Sequence, residues 1–137
     1  MFEIYKDFLR GVEGLKLKVY KDTKDILTIG YGRNLESNGI FLSEAEIMLN
    51  HDVNKAISDL VDIFPNFFSM PENLRIVLVS MMFNLGKSKF LTFKKFIEAV
   101  KKGNKQSMLY EFMNSKRAKE LGERIDLERL LLMKTKF

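Results

Sequence analysis

Cysteine and tryptophan are absent from this chain, and there is a single histidine, His51, and only two prolines, Pro65 and Pro71. The lack of cysteine excludes a disulfide framework, a thiolate zinc site and a cysteine nucleophile. It also makes the chain indifferent to redox conditions, so the compartment stays open. Long apolar runs are missing too. The longest, around Leu74 to Leu85, is broken by Arg75, Ser80 and Asn84 and is too short and too polar to span a membrane. The opening segment, MFEIYKDFLRGVEG, has no apolar central region and no small-residue cleavage site, so it does not read as a signal peptide. No internal repeat or low-complexity run is visible. With no cluster of metal-ligand residues, any catalysis must come from carboxylates, hydroxyls or His51.

What is present is ordinary for one globular domain. The 137 residues can bury roughly two-thirds of their unfolded surface. Apolar residues make up 46% and charged ones 30%. The net charge of +5 suits an anionic partner, whether nucleic acid, an acidic lipid surface or a cell wall. It equally suits mere solubility, and charge alone does not choose among polyanions.

The hydrophobic pattern predicts a mostly helical α+β fold. Ile4, Phe8, Leu9 and Val12 have helical spacing, and glycines on both sides of Glu13 end that helix near it. The period then changes to two. Leu15, Leu17 and Val19 alternate with Lys16, Lys18 and Tyr20; after a polar turn at 21–25, Leu27, Ile29 and Tyr31 alternate with Thr28, Gly30 and Gly32. The two strands should pair as a hairpin, with a close backbone approach at the glycines. Ser43-Glu44-Ala45-Glu46 reads as a capping box opening a helix limited by Pro65, with Met48, Leu49, Val53, Ala56, Ile57, Leu60 and Val61 inward. Pro71 starts a central helix, apolar nearly all round, that stops at Gly86. Further helices are predicted at 93–102, 105–114 and 123–134, the last with Ile125, Leu127, Leu130 and Leu131 inward. The eight methionines read as core filler.

Glycosidic hydrolysis needs two carboxyls flanking the bond, one to protonate the leaving oxygen and one to activate water or attack. Glu13 falls at a helix end, Asp22 at a hairpin tip, and the Thr28 hydroxyl follows on the next strand. With 18 acidic residues in the chain, many such pairs exist, so spacing alone also allows a helix-end charge and a turn residue.

The stretch Glu13-Gly14-Leu15-Lys16-Leu17-Lys18-Val19-Tyr20-Lys21-Asp22-Thr23, followed by Leu27-Thr28-Ile29-Gly30-Tyr31-Gly32, resembles the catalytic segment of the phage-type lysozymes, glycoside hydrolase family 24. Leu42–Glu46 and Asn50–Val53 resemble the capped helix that follows. Met82–Gly86 resembles the end of the central helix, and Ser115-Lys116-Arg117 and Arg124 the C-terminal part. The resemblance implies a small N-terminal hairpin lobe, with its connecting helix covering about 13–60. It implies a helical lobe of about 61–137 that packs with the first helix, and a cleft between the two lobes. It implies hydrolysis of the β-1,4 bond between N-acetylmuramic acid and N-acetylglucosamine in peptidoglycan, with inversion and without cofactor or metal. Glu13 would be the general acid, its pKa raised by partial burial. Asp22 would be the water-activating base, and Thr28 would help hold the water. Substrate contacts are implied for Gly30, Leu35, Phe83, Asn84, Lys116 and Arg124. Asn84 could instead cap the central helix, Phe83 could sit in the core, and Arg124 could only orient Glu13.

The chain departs from the family in places. Arg33 stands where a histidine is common, which predicts an Arg33–Asp52 ion pair. The segment 33–41 is short, and Ala118 stands where an aromatic is common. His51 reads as a surface residue. A wall-binding module without activity, a lytic transglycosylase and a small nucleic-acid-binding protein are the rival readings, the last without a recognisable basic recognition helix. No nucleic-acid partner is expected, and a monomer is the default. The enzyme would wait in a bacterial host's cytoplasm before acting on the wall.

Overall fold

The computed structural model describes residues 1–137 and is a mostly helical α+β fold with one small antiparallel sheet. It divides into two compact units, Met1–Met48 and Leu49–Phe137. No helix is long and apolar enough to cross a membrane.

The first unit opens with α1 (Glu3–Glu13), which ends as expected at Gly14, a glycine with φ 72°. Strand β1 (Lys16–Lys21) then pairs antiparallel with β2 (Leu27–Gly30), with Tyr20 opposite Thr28 and a register shift between Lys16 and Tyr20. The expected second strand stops at Gly30 rather than Gly32. Gly30 and Gly32 have φ of 70° and 79°, a region L side chains avoid, and they turn the chain into a third strand. That strand, β3 (Arg33–Asn34), sets Ile29 opposite Arg33. Asn34 caps the short helix α2 (Leu35–Asn38) by accepting from the Ser37 amide.

Helix α3 (Leu42–Ile63) starts one residue before the expected capping box. The Phe41 amide donates to Glu44 Oε1 at 2.7 Å, so Glu44, three residues on, supplies the back-reaching half of the cap. Arg33 also pairs with Glu44, and its guanidinium lies 5.4 Å from the centre of the Phe41 ring. The Arg33–Asp52 pair is therefore not formed. Asp52 lies eight residues further along α3, about 12 Å at 1.5 Å per residue, and is exposed. Glu44 is the carboxylate that capping has already fixed beside Arg33.

The second unit holds the core. A 3₁₀ turn (Phe67–Ser69) leads to α4 (Glu72–Leu85), which stops at Gly86 as expected. Short α5 (Lys87–Phe90) precedes α6 (Lys94–Lys102), α7 (Lys105–Met113), α8 (Lys116–Glu120) and α9 (Glu123–Lys134). Asn104 and Ser115 cap α7 and α8 by accepting from the amides three residues on. Every buried apolar residue lies between Ala56 and Leu132, around Leu74, Val77, Leu78 and Met81 of α4. Met70, Met81, Met82 and Met108 fill this core, but Met48, Met113 and Met133 are exposed, so only part of the methionine set is filler. Met48 and Leu49 at the expected inner face of α3 are exposed too.

The expected inner face of α9 is also out of phase. Leu127 and Leu130 are exposed, and the buried residues are Ile125, Glu128 and Leu132. These three follow helical spacing, and the charged member is accepted because a buried arginine meets it.

Candidate active site

The N-terminal unit brings five predicted site residues onto one small sheet and its flanks. Glu13 is the last residue of α1 and is exposed, not partly buried as expected. Its carboxylate lies against Gly32 so closely that a Cβ there would come within 2.5 Å of Glu13 Oε2. Gly32 is thus required twice, by its positive φ and by the acid seated where a side chain would be.

Asp22 follows β1 and begins the hairpin turn. Its Oδ1 accepts from the Lys24 amide at 2.8 Å and the Ile26 amide at 3.0 Å, while the Asp22 amide donates to the Ile26 carbonyl. This local bonding is what Asp does in turns. It fixes one carboxylate oxygen, and Oδ2 makes no hydrogen bond within the protein. Asp25, with φ 65°, is the one non-glycine residue in a left-handed conformation, and it closes the turn by donating to the Asp22 carbonyl.

Thr28 is the only buried residue of the N-terminal unit, 4% exposed. Its hydroxyl donates to the Ile26 carbonyl at 2.8 Å. That leaves the lone pairs of Oγ1 as acceptors. Asp22 and Thr28 therefore share one anchor, the Ile26 peptide. The result is a strand with a carboxylate at each end. Glu13 lies against Gly32, just past the Gly30 end of β2, Asp22 stands beside its Leu27 end, and Thr28 falls between them along the strand. Gly30 closes β2, and Leu35 is half-buried at the start of α2.

The other predicted contacts lie in the helical unit. Asn84 and Lys116 line one cavity of about 740 Å³. Phe83 lines a different one of about 250 Å³; it is 46% exposed, so the core alternative for it is wrong. Asn84 does not cap α4 through its side chain; its Oδ1 accepts from Arg117 Nε at 2.9 Å. Arg124 donates to the Ser80 carbonyl at 2.7 Å and lies 3.5 Å from Glu128, lining neither cavity. His51 is exposed on α3.

Sequence reading missed a polar network in this unit. Arg117, 6% exposed, pairs with Glu128, 3% exposed, at 2.5 Å. Ser80 donates to the same Glu128 oxygen at 3.3 Å. The available signal was Glu128 itself, three residues after Ile125 and four before Leu132 on one helical face.

The sequence model of the family described as Phage lysozyme matches residues 10–128. The chain belongs to the phage lysozyme family. Two curated proteins of Dictyostelium discoideum are similar along most of their length. "Probable T4-type lysozyme 1" is 26% identical, with 84% of this chain and 85% of the relative covered. "Probable T4-type lysozyme 2" is 25% identical, with the same coverage. The family match includes the whole of the segment that holds Glu13, Asp22 and Thr28. It therefore places the chain with lysozyme-type hydrolases that act on peptidoglycan, and it begins inside α1, before Glu13.

Proposed function

We propose that the chain is a muramidase that hydrolyses the β-1,4 bond between N-acetylmuramic acid and N-acetylglucosamine. The observation that carries this is the strand flanked by two carboxylates, Glu13 lying against Gly32 and Asp22 bonded at the hairpin turn. Glu13 gives its proton to the glycosidic oxygen as the bond from that oxygen to the anomeric carbon breaks. Water attacks the same carbon from the opposite face, and Asp22 Oδ2 takes its proton while the Thr28 oxygen accepts the other hydrogen. The configuration inverts, and Glu13 and Asp22 exchange one proton with solvent to reset. Gly30, Leu35, Phe83, Asn84, Lys116 and Arg124 are proposed sugar and peptide contacts. The enzyme works as a monomer, held in the cytoplasm of a bacterial host until another protein opens the inner membrane.

Reducing-end release from purified peptidoglycan tests the reading. Glu13→Gln keeps the shape of the side chain and removes the proton donor, so the rate should fall by about 10²–10⁴. Anhydro-sugar products would identify a lytic transglycosylase instead. No release from several wall types by folded wild type would leave a wall-binding module.

A further inference from the structure

The peptide between Ile26 and Leu27 is bonded on both sides. Its carbonyl accepts from the Asp22 amide at 3.0 Å and from the Thr28 hydroxyl at 2.8 Å. Its N–H, carried by Leu27, points the other way, as the two groups of a trans peptide do. It therefore faces the side of β2 on which β3 pairs. Strand β3 ends at Asn34, opposite Thr28 and one residue short of Leu27. A side chain takes over there: Glu36 Oε1 accepts from the Leu27 amide at 3.1 Å.

Glu36 is brought to this peptide by a closed path. Asn34 pairs with Thr28 through the sheet, and its side chain caps α2 by accepting from the Ser37 amide at 2.9 Å. The capped turn presents Glu36 back to β2. From Glu36 the path returns through the Leu27 amide and the Ile26 carbonyl to the Thr28 hydroxyl. Water could satisfy the Leu27 amide, but a carboxylate does more. A charge-assisted bond is roughly twice as strong as a neutral one. An anion on the N–H also polarises the same peptide, so its carbonyl becomes a better acceptor for the Thr28 hydrogen.

We propose that Glu36 is a positioning residue for the hydrolysis: by holding the Ile26–Leu27 peptide it fixes the direction of the Thr28 hydroxyl. The proposal rests on the muramidase reading for what Thr28 holds. A hydroxyl can turn its hydrogen toward any acceptor in reach. With that hydrogen tied to the Ile26 carbonyl, Thr28 Oγ1 can only accept. The attacking water then gives one hydrogen to Asp22 and the other to Thr28, and its lone pair is left for the anomeric carbon. If the peptide rocks, the Thr28 hydrogen is released and can turn onto the water, where it occupies the lone pair that the attack uses. Asp22 depends less on this peptide plane, because its Oδ1 is also fixed by the Lys24 amide. The effect of Glu36 therefore belongs to the chemical step and passes through Thr28.

The test is steady-state hydrolysis of soluble, uncross-linked peptidoglycan strands by wild type, Glu36→Ala, Glu36→Gln, Thr28→Val and the double variant of Glu36→Ala with Thr28→Val. Glu36 is exposed, so the fold is not at stake, and a thermal melt verifies this. Glu36→Ala should lower kcat about tenfold and leave KM unchanged. Glu36→Gln keeps an acceptor oxygen and should stay within about threefold of wild type. With Thr28→Val there is no hydroxyl to direct, so adding Glu36→Ala should change kcat by less than about twofold. An equal loss in both backgrounds, a loss carried by KM, or no loss overturns the proposal. If Thr28→Val is too slow to follow, the rescue by Gln and the split between KM and kcat decide. Amide exchange followed by NMR does not depend on turnover. The Leu27 amide should exchange about tenfold faster in Glu36→Ala than in wild type, and near the wild-type rate in Glu36→Gln. Unchanged exchange in Glu36→Ala overturns the proposal whatever the activity. A wild type that cleaves nothing, while Leu27 exchanges as expected, rejects the muramidase reading alone.

Discussion

Replacing Asp22 by Asn keeps the Oδ1 acceptor that holds the Lys24 and Ile26 amides and converts only the unbonded oxygen into a donor. The hairpin should therefore stay as stable as wild type while reducing-end release disappears. Asp22→Ala removes both acceptors and should cost about 1–3 kcal/mol as well as activity. Urea unfolding beside the activity assay distinguishes the two variants; equal destabilisation by both would mean that Oδ1 is not the structural oxygen. Gly32 makes a second contrast. Gly32→Ala meets both a positive φ and the Glu13 carboxylate, whereas Gly39→Ala meets a φ of 58° with open space around it. Each should lose about 1–3 kcal/mol to backbone strain. Only Gly32→Ala should also abolish activity, because Glu13 must move. The sequence pointed to Glu13, Asp22 and Thr28 through a motif, yet it did not disclose what the second glycine of that motif sits against. The reason is a contact between residues nineteen positions apart, which no local pattern records.

Among the elements, those with strong periodicity and clear stops were legible. Helices α1, α4 and α6 end at or near their predicted bounds because glycines punctuate them. Strand β3 and the short helices α2, α5 and α8 were not, since two to five residues carry no measurable period. The start of α3 was misplaced because Ser43 and Glu46 fit the capping-box pattern, whereas it is Glu44, paired with Arg33, that accepts from the Phe41 amide. This choice has a pH signature. The Arg33 guanidinium, and next the Phe41 amide, hold the Glu44 carboxyl below its ordinary value of 4.5. The folded state therefore favours ionised Glu44. Its contribution is complete above the ordinary value and is lost as pH falls through the depressed folded value. Glu44→Gln should lower the thermal midpoint at pH 7. The gap to wild type should close in acid, and a gap unchanged at pH 3 would reject the assignment.

In the molecule as a whole, the buried residues of the helical unit are apolar except Thr135, just past α9, and the charges where α4, α8 and α9 meet. There Arg117 and Glu128 form a buried pair, with Ser80, Asn84 and Arg124 bonded to its edges. Binary patterning could not place it, because it depends on two charges from different helices being buried together. The pair is incomplete, since Arg117 Nη1 and Glu128 Oε2 lack partners. Burying two charges is expensive, and their attraction recovers that cost only when every donor and acceptor is satisfied. Removing one partner should therefore harm the fold far more than removing both. Arg117→Met and Glu128→Leu should each cost about 3–5 kcal/mol, while the double variant should recover most of that loss. Equilibrium urea unfolding of the four proteins measures the coupling directly. Additive losses would mean that the two charges act independently. A double variant as stable as wild type would instead show that the pair adds no net stability over apolar packing at the same place.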